Sequence, residues 1–140
     1  MYCASKSAVR AVAEAMDEEI KPLGLRSLYM EPGYFRTSFL QEGNRGSYTS
    51  RIKDYETLVS QRYEMLASYS GKQPGDPNKL VQLMIDYVKK EGAFKDVGDD
   101  YPGGFPVGSD AYNLVKQKLE AQLALMEKWK DVITGTDLPK

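Results

Sequence analysis

Tyr2-Cys3-Ala4-Ser5-Lys6-Ser7-Ala8-Val9 opens the stretch whose reading decides the fold. Ala4, Ala8, Ala11, Val12, Ala15, Met16 and Ile20 recur at helical spacing, while Glu14, Asp17, Glu18 and Glu19 fall largely on other faces. The pattern predicts a helix from Tyr2 to about Lys21, with alanines that suit close approach to a sheet or another helix. Pro22-Leu23-Gly24 ends it. Leu25 to Glu31 reads as a short strand, closed by a turn at Pro32-Gly33. A helix, a glycine-containing turn and a strand in that order make one step of a parallel-sheet α/β protein.

Tyr2 and Lys6 are four residues apart and share a helix face, roughly 5–6 Å apart at Cβ. An ammonium within about 4–6 Å of a phenol favours the phenolate, and the positive end of the helix dipole acts in the same direction. A tyrosine so placed can give a proton to a carbonyl oxygen or take one from an alcohol. Spacing alone is not specific, because Tyr112 and Lys116 repeat it on what reads as a solvated helix. The company of the first pair is what distinguishes it: helix, strand, then Glu31-Pro32-Gly33-Tyr34-Phe35-Arg36-Thr37.

Beyond that segment the chain is irregular to about Gly46, with Gly43, Asn44, Gly46 and Ser47 as loop residues. A helix is predicted from about Thr49 to Tyr69, with Ile52, Tyr55, Val59, Tyr63 and Leu66 on its apolar face and Tyr48, Tyr55, Tyr63 and Tyr69 nearby. Such a segment is either a half-buried surface helix or a lid over a bulky apolar substrate. After the Gly71–Gly75 turn, Asp76 as N-cap and Pro77 at the first helical position start another helix. Its expected buried face is Leu80, Val81, Met84, Ile85 and Val88, with Lys89 and Lys90 complementing the dipole and Gly92 as the stop. Ala93 to Gly104 is loop. Phe105-Pro106-Val107 reads as a very short strand, confined to an edge by its proline. Ser109 or Asp110 is expected to cap a last helix of about twenty residues carrying Leu114, Val115, Leu119, Leu123, Met126 and Trp129, before a tail from Thr134 to Lys140.

The 140 residues are the size of one domain, 41% apolar and 28% charged, a soluble globular balance. A net charge of −1 leaves no basic excess to offset phosphates, so no nucleic-acid partner is expected. No apolar run reaches the roughly 18 residues a membrane span requires, and the start is neither a signal nor a transit peptide. Cys3 alone forms no internal disulfide, and without histidine no conventional Cys/His zinc site arises, so no metal is expected and a reducing, cytoplasmic compartment is.

Tyr2 to Val9, Glu31 to Thr37, the Gly75-Asp76-Pro77 helix start and Val107-Gly108-Ser109-Asp110-Ala111-Tyr112 together resemble the C-terminal half of the short-chain dehydrogenase/reductase family in order and spacing. The resemblance covers nearly the whole chain. It implies an α/β fold, the C-terminal portion of a Rossmann-like doubly wound parallel sheet, mostly helical with one or two short strands. Residues 1–140 would be the catalytic and substrate-binding half of a single domain, with 36–73 as the substrate lid. The implied activity is NAD- or NADP-dependent hydride transfer on an alcohol or ketone, with lid tyrosines that suit an apolar or ring-containing substrate. Tyr2 would be the catalytic acid/base. Lys6 would lower its pKa and hydrogen-bond the nicotinamide ribose. After Pro32 and Gly33, the Phe35 backbone and the Thr37 side chain would hold the nicotinamide carboxamide. The family often dimerises through this first helix, which implies a homo-oligomer through residues 2–21.

Other parts of the family pattern have no counterpart in these residues. There is no Gly-x-x-x-Gly-x-Gly cluster after a strand and no Asn-Asn-Ala-Gly stretch. No residues before Tyr2 supply the family's catalytic serine, for which Ser5 and Ser7 are not substitutes. Met1 reads as an internal methionine taken as a start, and the 140 residues alone are expected to bind no dinucleotide tightly and to turn over no substrate. Two other readings stand beside this one: a non-catalytic module pairing its first and last helices with a full-length relative, and a truncated product without function of its own.

Overall fold

The computed structural model describes residues 2–46, 49–98 and 102–138; Met1, Ser47, Tyr48, part of the expected 93–104 loop and the last two tail residues lie outside them. Helix α1 (Tyr2–Ile20) forms as its periodicity predicts. It ends in a 3-10 turn, Lys21–Leu23, closed by Gly24 at φ 73°, where only glycine is unstrained.

Strand β1 is Tyr29–Pro32, later and shorter than the expected Leu25–Glu31. Two contacts explain the difference. The Ser27 N–H is already held by the Asp17 carboxylate at 2.8 Å. The partner strand β2 (Gly104–Val107) is only four residues long, so the parallel ladder runs from Tyr29 opposite Gly104 to Pro32 opposite Val107. Pro106 is accommodated on this short strand, opposite Glu31. Gly104 is small for a reason: the Tyr29 ring lies where a Cβ would stand.

Helix α2 is Glu56–Tyr69 and begins later than the expected Thr49. The Ser50 hydroxyl donates to the Ile52 carbonyl at 2.7 Å and accepts the Ile52 N–H at 3.2 Å. That local turn competes with the helix. Helix α3 is Pro77–Lys89 and starts as expected, the Asp76 carboxylate accepting the Asn78 N–H at 2.9 Å. It does not stop at Gly92. Lys90 takes the left-handed cap conformation (φ 57°, ψ 46°) and donates its N–H to the Asp86 and Tyr87 carbonyls, while Gly92 opens a separate 3-10 turn, Gly92–Phe94. Helices α4 (Ser109–Lys128) and α5 (Lys130–Thr134) follow β2. Neither Ser109 nor Asp110 caps α4; Gly108 occupies the cap position and the Asp110 carboxylate is engaged elsewhere.

The core is small and aromatic. Tyr87 and Phe94 pack edge to face with ring centres 5.2 Å apart, and Phe94 lies 6.0 Å from Phe105 of β2. The Tyr87 hydroxyl donates to the Pro102 carbonyl at 3.1 Å. The covered side of α3 is therefore half-buried Leu80 and Leu83 with buried Tyr87; of the expected face only Leu80 lies there, while Val81, Met84, Ile85 and Val88 are open to solvent, Val88 at 78% exposure. The stripe has the right spacing, but no described element lies over it.

Exposure of this kind is general. The accessible surface is 11,699 Å², whereas a compact monomer of 15.7 kDa has about 7,300 Å². The structure is α/β, mostly helical around a two-stranded parallel sheet, and its apolar faces outnumber the elements available to cover them.

Helix α1 is fastened to β1 at its far end. The Arg26 guanidinium meets the Asp17 carboxylate through two bonds of 2.8 and 2.9 Å, and the Ser27 N–H adds a third. These donors hold the Asp17 carboxyl down to about 2, the guanidinium contributing most. A carboxyl whose folded value lies below its unfolded one stabilises the fold above the unfolded value near ~4, and the contribution is lost as pH falls towards 2. Asp17→Asn is expected to lower the thermal midpoint at pH 7 by a few degrees and to flatten its decline between about pH 4 and 2. Thermal melts of both proteins across that range check it.

Candidate active site

Residues 33–37 leave the end of β1 and are gripped from both sides. The Gly33 N–H donates to the Val107 carbonyl at 2.9 Å, extending the ladder by one bond. The Tyr34 N–H donates to Asp110 Oδ2 at 2.6 Å. On the other side Phe35 forms a parallel bridge with Gly75: the Arg36 N–H donates to the Gly75 carbonyl at 2.8 Å, and the Gly75 N–H donates to the Tyr34 carbonyl at 3.0 Å. Arg36 Nε and Nη2 both reach the Gln73 carbonyl, at 3.2 and 3.0 Å.

The bridge has a consequence for Phe35. In a parallel bridge the flanking residues supply the hydrogen bonds, and the central residue turns its own N–H to the opposite side. Gly33, Tyr34, Arg36 and Thr37 all have acceptors for their N–H groups, Thr37 donating to the Phe35 carbonyl at 2.9 Å. Among the described residues the Phe35 N–H has none. Two positions further on, Thr37 Oγ1 accepts the Phe39 N–H at 3.4 Å, which leaves its own O–H free to donate. An unsatisfied backbone donor and a hydroxyl donor on one short, clamped segment can together hold a carbonyl oxygen or carboxamide.

Three glycines permit this arrangement by close approach. At Gly33 a Cβ would collide with the Asp110 carboxylate, so the residue read as a turn former is needed for space. At Gly75 a Cβ would come 2.6 Å from the Phe35 ring, and at Gly108, where φ is 103°, it would come 2.9 Å from Asp110 Oδ1 and 3.5 Å from that ring. Phe35 is thus wedged between the turn before α3 and the turn before α4. A cleft of about 340 Å³ lies along this wedge, lined in part by Phe35, Asp76, Leu83 and Asp110.

Tyr2 and Lys6 lie on the α1 stripe that continues through Arg10 and Asp17. Asp17 meets Arg26 and Ser27; Arg10 lies 5.2 Å from the Tyr29 ring centre and 3.6 Å from Glu31. The helix therefore runs antiparallel to β1. Lys6 and Tyr2 thus lie beyond Arg10 in the direction of the Pro32 end of β1. Lys6 Nζ sits 5.5 Å from the centre of the Tyr2 ring, so the pair meets through the ring face. The Ser5 hydroxyl turns back to the Tyr2 carbonyl at 2.7 Å. Tyr2 is 64% exposed, with its phenol facing open space. Below it, Arg10 donates to Glu14 at 2.8 Å, which lowers the Glu14 carboxyl, and burial is the main cause raising the Tyr29 phenol.

The expected lid residues form a connected unit. Leu40 is buried, the Arg45 guanidinium stacks 4.9 Å from the Tyr63 ring centre, and the Tyr69 ring meets Tyr34 edge-on at 5.0 Å. Thr49 to Val59 border an open cavity of about 580 Å³ that includes Ile52 and Tyr55. Among the described residues no cluster of three or more potential metal ligands occurs, and no helix is long and apolar enough to cross a membrane.

A two-stranded parallel edge, a helix bearing Tyr2 and Lys6, and a clamped Pro-Gly segment are consistent with part of a short-chain dehydrogenase fold. The chain superposes on a crystal structure of a short-chain dehydrogenase from Streptomyces avermitilis with a TM-score of 0.71 and 25% identity, over 98% of its own length and 46% of that chain. It is 27% identical over 93 residues to the uncharacterized oxidoreductase YusZ of Bacillus subtilis, a match covering 64% of this chain and 32% of the relative. No family profile matches. The chain thus spans less than half of the solved dehydrogenase and about a third of the curated relative.

Asp110, Gly75 and Gly108 were not among the site residues the sequence suggested, since their part in the site depends on contacts distant in sequence. Gly33→Ala is expected to lower the melting midpoint by several degrees, because the methyl must displace Asp110. Gly46→Ala, with no atom within 4 Å of the added carbon, is expected to be neutral or slightly stabilising. Parallel thermal melts compare the two.

Proposed function

We propose that these 140 residues supply the catalytic and substrate-binding half of an NAD(P)-dependent oxidoreductase of alcohols and ketones. The observation that carries the reading is the Phe35 N–H, without an acceptor among the described residues and fixed between two clamps just beyond the end of β1. The Phe35 N–H and the Thr37 hydroxyl are the groups that would hold a nicotinamide carboxamide, with Pro32 and Gly33 delivering the chain to them. Lys6 would engage the ribose. When bound, the nicotinamide supplies or accepts the hydride. Tyr2 carries the accompanying proton, giving it to a carbonyl oxygen on reduction or taking it from an alcohol on oxidation. A pyrophosphate needs backbone N–H groups at a glycine-rich turn, and these residues contain no such turn after a strand.

The substrate reading rests on the 36–73 segment. Ile52, Tyr55 and Val59 give its open cavity an apolar wall, of a size suited to a small organic molecule. An apolar or ring-bearing alcohol or ketone is the favoured class.

The test uses the longer in-frame polypeptide that contains these residues. Tyr2→Phe is expected to reduce kcat by about 10² to 10⁴-fold with an unchanged melting curve, since the Tyr2 side chain is largely exposed. Lys6→Ala is expected to lower kcat and raise KM for the cofactor together. Full activity in Tyr2→Phe would overturn the assignment.

A second reading has its own observation. Val9, Val12 and Met16 of α1 are exposed on one helical stripe, which suits docking on another protein or a second copy of this chain. Sedimentation of the purified chain distinguishes the two, a monodisperse monomer counting against association through residues 2–21.

A further inference from the structure

We propose that Asp110 is a positioning residue for the cofactor seat: its carboxylate fixes the Tyr34 N–H and thereby aims the neighbouring Phe35 N–H. The inference rests on the nicotinamide reading of the 33–37 segment and adds to it a residue from the far end of the chain.

Asp110 stands in the first turn of α4, where a carboxylate would ordinarily serve its own helix N-terminus. It makes no cap here. Oδ2 reaches instead across 76 residues of sequence to the Tyr34 N–H at 2.6 Å, a short charge-assisted bond. The surroundings are shaped for that reach. Gly33 and Gly108 both lack the Cβ that would strike the carboxylate, and Gly108 holds φ 103° to turn α4 towards the segment. Two glycines given over to one carboxylate are more than a helix start requires.

The geometry also states what the bond does. Gly75 takes the Tyr34 carbonyl and the Arg36 N–H. The Tyr34 N–H lies on the other side, and Asp110 is its only acceptor among the described residues. Gly75 holds the Tyr34 carbonyl and Asp110 holds the Tyr34 N–H, so the peptide units on both sides of the Tyr34 Cα are fixed and the Phe35 N–H keeps one direction. Removing Asp110 leaves the Gly75 bridge as a hinge about which that N–H can swing. The ring of Phe35 remains wedged, so the fold itself survives while the donor loses its aim.

Two measurements separate positioning from bulk stability. In the 140-residue chain, Asp110→Ala is expected to speed amide exchange at Tyr34 while leaving Met30 and Glu31 unchanged, and Asp110→Asn, which keeps an acceptor oxygen, is expected to restore most of the protection. In the longer in-frame polypeptide, Asp110→Ala is expected to weaken NADH binding about tenfold while leaving affinity for ADP-ribose, which lacks the nicotinamide, unaltered. Asp110→Asn is expected to stay within about threefold of the parent for NADH. Equal loss for NADH and ADP-ribose would make Asp110 merely structural and overturn the proposal. Unchanged NADH affinity in Asp110→Ala would overturn it alone. If the parent polypeptide takes neither NADH nor NADPH, the functional reading fails and this inference falls with it.

Discussion

Four residue pairs of parallel β-structure, Tyr29–Pro32 against Gly104–Val107, hold the whole arrangement in place. The ladder joins two stretches far apart in sequence, and everything of functional interest is set by where it ends. Beyond Pro32 the chain must pass the start of α4, and beyond Val107 it must turn into that helix, so Asp110 and the 33–37 segment are forced together. At the other end, Asp17, Arg26 and Ser27 fix the register of α1 along β1. Because α1 runs antiparallel to β1, that clamp sends Lys6 and Tyr2 towards the Pro32 end of the strand.

The segment after β1 works by elimination. A flexible loop offers many donors in many directions, and none is worth much to a ligand that must be held in one pose. Here four of five consecutive N–H groups are already engaged, and the one without an acceptor among the described residues is that of the residue at the centre of a parallel bridge. Bulk where it is needed, at Phe35, and its absence at Gly33, Gly75 and Gly108 serve the same end. The glycines are explained by what stands beside them more than by backbone freedom.

Much of this was legible in the sequence, and the illegible part has a physical pattern. The alanine-rich periodicity gave α1 correctly, and Asp76-Pro77 gave the start of α3. These are local signals, carried by residues within a turn or two of one another. Strand β1 was placed too early because its length is set by β2, which lies more than seventy residues away. Asp110 was read as a helix cap, the usual local use of such a residue, and its actual partner is equally remote. Lys90 takes a conformation for which Gly92 was the better guess on propensity. On α3 the Val81-Met84-Ile85-Val88 stripe was real, but a sequence pattern records an apolar face without recording what covers it.

That uncovered surface bears on function. A chain exposing 11,699 Å² where about 7,300 Å² would suffice has apolar faces on α1, α3 and α4 that suit further protein, in keeping with its coverage of less than half of the solved dehydrogenase. The central proposal is a division of labour: these residues would carry the hydride-transfer chemistry and the nicotinamide seat, but would not by themselves hold the rest of the dinucleotide. Titration of the purified 140-residue chain with NADH and NADPH, followed by nicotinamide fluorescence, tests it most directly. No saturable binding up to millimolar cofactor is the expected result. Saturable micromolar binding, weakened by Lys6→Ala, would show that these residues assemble a complete cofactor site and would contradict that division.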